Sequence, residues 1–330
     1  MPHDSHGQAL PGTASIDASA TLTARVTWLS VGCAGVLIVL KLAAWWFSGS
    51  IAVLASLADS ALDLAAALAT FFAVRYAAAP PDADHRYGHG KAEAFASLVQ
   101  AALVFASALL IGWEAIQHIL RPLPLANEGA AMIVMAVSTV LAVLLVVAQT
   151  RVLKQASSVA VSGDRAHYAA DIASNLAALA GLAVAAALNQ PAWDAVAGLV
   201  VAGWLLWGAV GVFRTSSVQL LDRELPDSLR EQIRALAGDD PRILHIHELR
   251  TRASGPYVHV QMHAELPPSL TLVEAHEIIV AAEKRVLEAF PAADILIHAD
   301  PHGAAEPHGG AFGEHGEAQD HEETSDPPDG

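Results

Sequence analysis

Cysteine and positive charge are both scarce in this chain, and each scarcity removes a class of function. Cys33 is the only cysteine among 330 residues and lies in an apolar run, so no intramolecular disulfide can form and no thiolate cluster can hold a metal. Lys and Arg number 18 against 34 Asp and Glu, for a formal charge of −16, which argues against a nucleic-acid surface. The N-terminus is polar as far as Thr23, with no basic stretch leading to a small-residue cleavage site, so no cleaved signal peptide is expected. There is no HExxH sequence either, which removes one signature of a zinc hydrolase.

What is abundant is apolar surface. The chain is 54% hydrophobic and only 16% charged, with a mean hydropathy of +0.40, the composition of a polytopic membrane protein. A spanning helix needs about 20 apolar residues, and six segments qualify: 25–47, 51–77, 91–119, 129–153, 166–188 and 192–213. The expected organisation is a polar segment over 1–24, a six-helix membrane domain over 25–215, a cytoplasmic domain over 216–302 and a tail over 303–330. Arg75, Arg86 and Lys91 fall between the second and third segments, Arg151, Lys154 and Arg165 between the fourth and fifth, and Arg214 and Arg223 after the sixth. The two shortest connections, 48–50 and 189–191, carry no Lys or Arg. By the positive-inside rule both termini are cytoplasmic, and a cell inner membrane is the expected location. Lys41 is the exception and is expected to snorkel toward the outer interface.

Four of the ionisable residues in the apolar runs fall into two pairs. Asp59 and Asp63 lie four apart in the second segment, and His167 and Asp171 repeat that spacing in the fifth. A carboxylate at the bilayer centre costs roughly 2.5 to 3.5 kcal/mol, so such groups face a partner, a cavity or an ion path. The i, i+4 spacing puts each pair on one helical face. Three carboxylates and an imidazole make an oxygen and nitrogen set suited to tetrahedral Zn²⁺ and able to take Fe²⁺, Cd²⁺ or Mn²⁺. The bland alternative is a pair of residues that hydrogen-bond a neighbouring helix.

Two further clusters lie outside the spans. The loop PPDADHRYGHGK offers Asp82, His85 and His89, with Gly88 and Gly90 letting the chain bend around an ion. The alternative is a polar loop with solvated histidines. From Pro226 the pattern predicts an amphipathic helix (Leu229, Ile233, Leu236), strands over 243–251 and 257–265, a helix over 272–290 and a short strand over 295–298. This αββαβ order fits a two-layer α+β domain. His259 and His263 share one face of the second strand, and His247, His276, His298 and Asp300 come from other elements. From Glu306 to Asp329 there are eight acids and no Lys or Arg, with His308, His315 and His321 among them. That tail is expected to be disordered, serving either to sequester metal or to solubilise the protein. His3 and His6 give the other end a weaker version of it.

The stretches LASLADSALD, HRYGHGKAE, DRAHYAADIASN, LLDRELPD, HELRTRASGP and ILIHADP resemble the cation diffusion facilitator family, and within it the bacterial ferrous-iron and zinc efflux branch. The resemblance runs from about residue 25 to 302. It implies a homodimeric, proton-coupled exporter, not an enzyme, with six helices and a metallochaperone-like cytoplasmic domain. It implies that Asp59, Asp63, His167 and Asp171 form the transport site and that Asp82, His85 and His89 form a loop site. His247, His263, His298 and Asp300 match a binuclear cytoplasmic site, with His276 as a further ligand, and Lys91 and Asp222 match a charge pair near the dimer interface. No prosthetic group is expected; Zn²⁺ or a similar divalent cation is expected as substrate and regulator. A membrane-anchored metal sensor without transport is the alternative, but it leaves the paired intramembrane ligands unexplained.

Overall fold

Long Ala- and Leu-rich runs without internal proline make helices, and six of them form a bundle. The structure, a computed structural model, describes residues 8–48, 51–120, 129–188 and 192–303. The helices are α1 (Ile16–Ser48), α2 (Ile51–Ala77), α3 (Ala92–Leu120), α4 (Gly129–Leu153), α5 (Val159–Leu188) and α6 (Ala192–Leu220). Five of them, all but α5, are long and apolar enough to cross a membrane by length and composition. The sixth, α5, is interrupted by Asp164, Arg165, His167, Asp171 and Asn175. Large side chains such as Leu110, Trp113, Val200 and Trp207 face outward from the bundle, as lipid-facing positions do. Small buried residues fill its interior, with Ala108, Ala170, Ala209 and Leu205 packed around Val104.

Three helix ends differ from those the apolar runs suggest. The first helix begins at Ile16, the fifth at Val159, and the sixth continues to Leu220. Lys41 does not snorkel outward: it is 8% exposed, and its Nζ donates to the Ser60 hydroxyl at 2.6 Å and the Ser56 carbonyl at 3.0 Å. A buried ammonium needs acceptors, and α2 supplies them.

The cytoplasmic part follows the expected order: α7 (Asp227–Ala237), β1 (His245–Ser254), β2 (Tyr257–Leu266), α8 (Leu272–Ala289) and β3 (Ala293–Pro301), with the sheet ordered β1-β2-β3. A two-residue turn joins β1 to β2, so they form a hairpin, and Gly255 there has φ 58°. Val258 N–H donates to the Ala292 carbonyl and His302 N–H to the Leu266 carbonyl; these pairs ascend together, so β2 and β3 run parallel, as a crossover through α8 requires. A capping box opens α8: the Thr271 N–H reaches Glu274 at 2.8 Å and the Glu274 N–H returns to Thr271 Oγ1 at 3.3 Å. Arg285 caps α7, donating to the carbonyls of Leu236 and Ala237, both at 2.9 Å.

The chain divides into two compact units: Met1–Arg223 with Arg252–Val258 and Phe290–Ala293, and Glu224–Thr251 with His259–Ala289 and Asp294–Gly330. The terminal histidines His3, His6, His308, His315 and His321, residues 49–50 of the first short connection, and the connection 189–191 lie outside the described residues.

Candidate metal centre

Three of the four residues paired on α2 and α5 meet. His167 Nε2 lies 3.0 Å from Asp63 Oδ1 and 3.8 Å from Asp171 Oδ2. One ligand atom from each of Asp63, His167 and Asp171 falls within 4.8 Å of the others, close enough to converge on one cation. His167 is 6% exposed, and its Nδ1 has no hydrogen-bond partner among the described residues. Asp59 lies one turn from Asp63, outside this group, with its residue exposed.

Two buried carboxylates fix where α5 begins and how it is held. Glu93, on the first turn of α3, is 3% exposed and accepts from the Ser158 hydroxyl at 2.7 Å. The backbone N–H groups of Val159 and Ala160 also hydrogen-bond Glu93, and the Val161 N–H donates to Ser158 Oγ at 3.2 Å. The first three amides of α5, which no helical turn can satisfy, are thereby paired. One turn further, Asp164 is buried among hydrogen-bond donors from α1, α3 and α4. Glu93 and Asp164 were not among the sequence candidates; Asp164 carries the same signal as Asp63, a carboxylate in an apolar helix, once α5 is known to start before it.

The loop residues also converge. His89 Nε2 lies 3.2 Å from Asp82 Oδ2, and His85 Nδ1 lies 3.3 Å from Asp82 Oδ1. The two rings are 4.6 Å apart. His89 is buried, with its Nε2 turned to Asp82, and its Nδ1 has no hydrogen-bond partner among the described residues. That is costly for an imidazole unless something else binds it. Asp82 itself accepts from the His85 N–H at 2.7 Å and the Asp84 N–H at 3.0 Å, and the bond from the His85 amide leads in holding its carboxyl below the usual range.

Next to the loop, Lys91 Nζ lies 2.9 Å from Asp222 Oδ1, and Arg252 donates to Asp222 Oδ2 at 3.2 Å. Although burial pushes the Asp222 carboxyl up, Lys91 and Arg252 outweigh it and hold it below its ordinary value. Gly90 touches the hairpin turn so closely that a Cβ there would lie 2.0 Å from the Ser254 carbonyl oxygen.

On the open face of the sheet, His263 Nδ1 lies 2.8 Å and His247 Nε2 3.4 Å from Asp300 Oδ2. His298 Nε2 approaches the other oxygen, Oδ1, at 3.4 Å. His247, His263 and Asp300 meet the same 4.8 Å convergence. His276 sits on an exposed position of α8 outside that group, and His259 pairs with Asp294 at 3.1 Å. Three residues beyond the sequence candidates border the cluster, and one of them is Glu248, whose Oε2 lies 3.9 Å from His263 Nε2. The other two are Glu265 and His302: Glu265 Oε1 lies 4.0 Å from His247, and Glu265 Oε2 lies 2.6 Å from His302. Their alternation with His263 and Asp300 on β2 and at the end of β3 was the signal.

A family model described as "Cation efflux transmembrane domain" matches residues 27–221. The chain belongs to the cation efflux family. A second model of that family, "Cation efflux protein, cytoplasmic domain", matches residues 225–302. Among curated cation efflux proteins, the "Cation-efflux pump FieF" of Shewanella oneidensis is 41% identical over 275 residues, 82% of this chain and 92% of that one. The protein of the same name from Escherichia fergusonii is 38% identical over 283 residues, 85% of this chain and 93% of that one. A solved structure described as "a Putative Zinc Transporter CzrB (Zn form)" aligns with 26% of this chain and 98% of its own at 31% identity, with a TM-score of 0.24. As a cation efflux protein, this chain is a multi-pass membrane transporter for cations, of the cation diffusion facilitator type, and not an enzyme.

Proposed function

We propose that the protein exports a divalent transition-metal cation, Zn²⁺ with Fe²⁺ and Cd²⁺ as further substrates, in exchange for protons. The observation that carries this reading is the convergence of Asp63, His167 and Asp171 from two different helices, with Asp59 one turn away to complete a fourth ligand. Oxygen and imidazole donors suit borderline divalent cations and exclude no single member of that series. A bound cation offsets the repulsion of the carboxylates, and its departure leaves groups that attract protons. Only neutral imidazole ligates, so proton and metal compete for His167. Exchange of one for the other is antiport. The basic loops support an inner-membrane orientation with both termini cytoplasmic.

The cytoplasmic cluster is assigned a regulatory role within a homodimer. Asp300 turns one oxygen to His247 and His263 and the other to His298, the arrangement of a carboxylate that bridges two ions. Bound metal there biases the conformational equilibrium without carrying the transported ion. Asp82, His85 and His89 form the third site, on the cytoplasmic side of α2 and α3 under the proposed orientation.

The test is proton release from the purified protein on addition of Zn²⁺, Fe²⁺, Cd²⁺ or Mn²⁺, with Asp63→Ala alongside. The reading expects release for each transported metal and a smaller release in the variant. Equal release with and without Asp63 would contradict it.

A further inference from the structure

A buried polar cluster lies one helical turn from the ligand pairs, and the account of the transport site leaves it unused. Asp164 on α5 is 1% exposed. Its Oδ2 accepts from the Ser30 hydroxyl of α1 at 2.7 Å and from Gln149 Nε2 of α4 at 2.8 Å, and its Oδ1 accepts from Gln100 Nε2 of α3 at 3.1 Å. The same Gln100 amide nitrogen reaches α2, lying 3.1 Å from Thr70 Oγ1 and 3.4 Å from the Ala66 carbonyl. Ser30, Thr70, Gln100 and Gln149 are each no more than 1% exposed. One side chain from α3 thus ties α2 to α5, the two helices that carry the transport ligands.

The register is what gives the tie meaning. Ala66 follows Asp63 by three residues on α2, and Asp164 precedes His167 by three residues on α5. Gln100 therefore spans the two helices about one turn from the place where Asp63 and His167 approach to 3.0 Å. We propose that Gln100 and Asp164 are positioning residues of the transport site, setting the separation of α2 and α5 so that ligands from both reach one cation. The inference rests on the transport-site reading above. Ligand bonds of about 2.0 to 2.2 Å tolerate little error, and supporting hydrogen bonds hold ligands to such geometry. The chemistry of the tie suits that task. Its amide is neutral and adds no charge to repel the cation, and the Asp164 carboxylate is occupied by donors from three helices, which anchors α5 rather than offering a ligand.

The experiment measures Zn²⁺ binding to the full chain by calorimetry, in a background carrying Asp82→Ala and His263→Ala to silence the other two sites. Gln100→Met keeps the bulk and removes the amide; Gln100→Glu turns an acceptor toward Asp164. Both are expected to weaken binding by about 10- to 100-fold. The exchange Gln100→Glu with Asp164→Asn restores a donor facing an acceptor and is expected to recover part of the affinity. Folded Gln100→Met protein that binds Zn²⁺ like the background would overturn the proposal, and so would loss in both single variants with no recovery in the exchange. Binding in the background that survives Asp63→Ala would instead overturn the transport-site reading and this inference with it.

Discussion

Asp63 on α2 and His167 on α5 face each other inside the bundle at 3.0 Å. Removing either leaves its partner buried with less to bind, and removes a cation ligand. Asp63→Ala is therefore expected to abolish metal flux in reconstituted vesicles, while His263→Ala weakens metal binding by the cytoplasmic domain and leaves flux measurable. Equal and total loss of flux in both variants would contradict the division between carrier and regulator. Gly90 gives a prediction of another kind. A methyl group there would sit 2.0 Å from a backbone oxygen, so Gly90→Ala must displace the hairpin turn. It is expected to destabilise the protein by about 1 to 3 kcal/mol, read as a lowered thermal midpoint in detergent. At this scale Asp63, His167 and Asp171 were legible in the sequence, because charge in an apolar run is conspicuous. Gln100 and Gln149 were not, since an uncharged amide in such a run does not announce the helix it will bind.

Helix ends were the least legible feature of the elements. Hydropathy marks the stretch that lies in hydrocarbon, whereas hydrogen bonding decides where a helix starts. The apolar run of α5 suggests a start at 166, but Ser158 and Glu93 cap it at Val159, which brings Asp164 inside the helix. Ser158→Ala removes the hydroxyl that joins this cap and is expected to cost about 0.5 to 2 kcal/mol. Glu93→Ala, which leaves the Ser158 hydroxyl and two amides without their acceptor, is expected to lower the melting midpoint further; a midpoint unchanged in both would contradict the assignment of the cap. The strands and helices of the cytoplasmic part were better marked, since apolar and polar residues alternate on β2 and recur every three to four residues on α7 and α8. Just after α6, Asp222 is held below its ordinary carboxyl value by Lys91 and Arg252. A depressed carboxyl contributes stability that is present above the unfolded pKa of about 3.9 and lost as pH falls through the lower folded value. The stability difference between the native protein and Asp222→Asn is therefore expected to be constant from pH 7 down to about pH 5 and to shrink below about pH 4, as followed by thermal melts across that range.

Among the described residues, three groups of side chains are close enough together to hold a metal ion: one within the helical bundle, one in the loop before α3, and one on the sheet of the cytoplasmic part. The family match spans both the helical and the cytoplasmic parts. The two kinds of site differ in what surrounds them. The bundle site is built from groups that are costly to leave charged without a cation or protons, whereas the sheet site lies among further histidines and acids, where metal can be held without crossing a membrane. Coupling of metal to protons in the first is the central claim. The most direct measurement is Zn²⁺ flux in proteoliposomes carrying the purified protein, with a proton gradient imposed across the membrane. The account predicts that an opposing proton gradient drives Zn²⁺ uphill, that a protonophore abolishes this accumulation, and that Asp63→Ala shows no flux. Zn²⁺ movement that is indifferent to the gradient would contradict it.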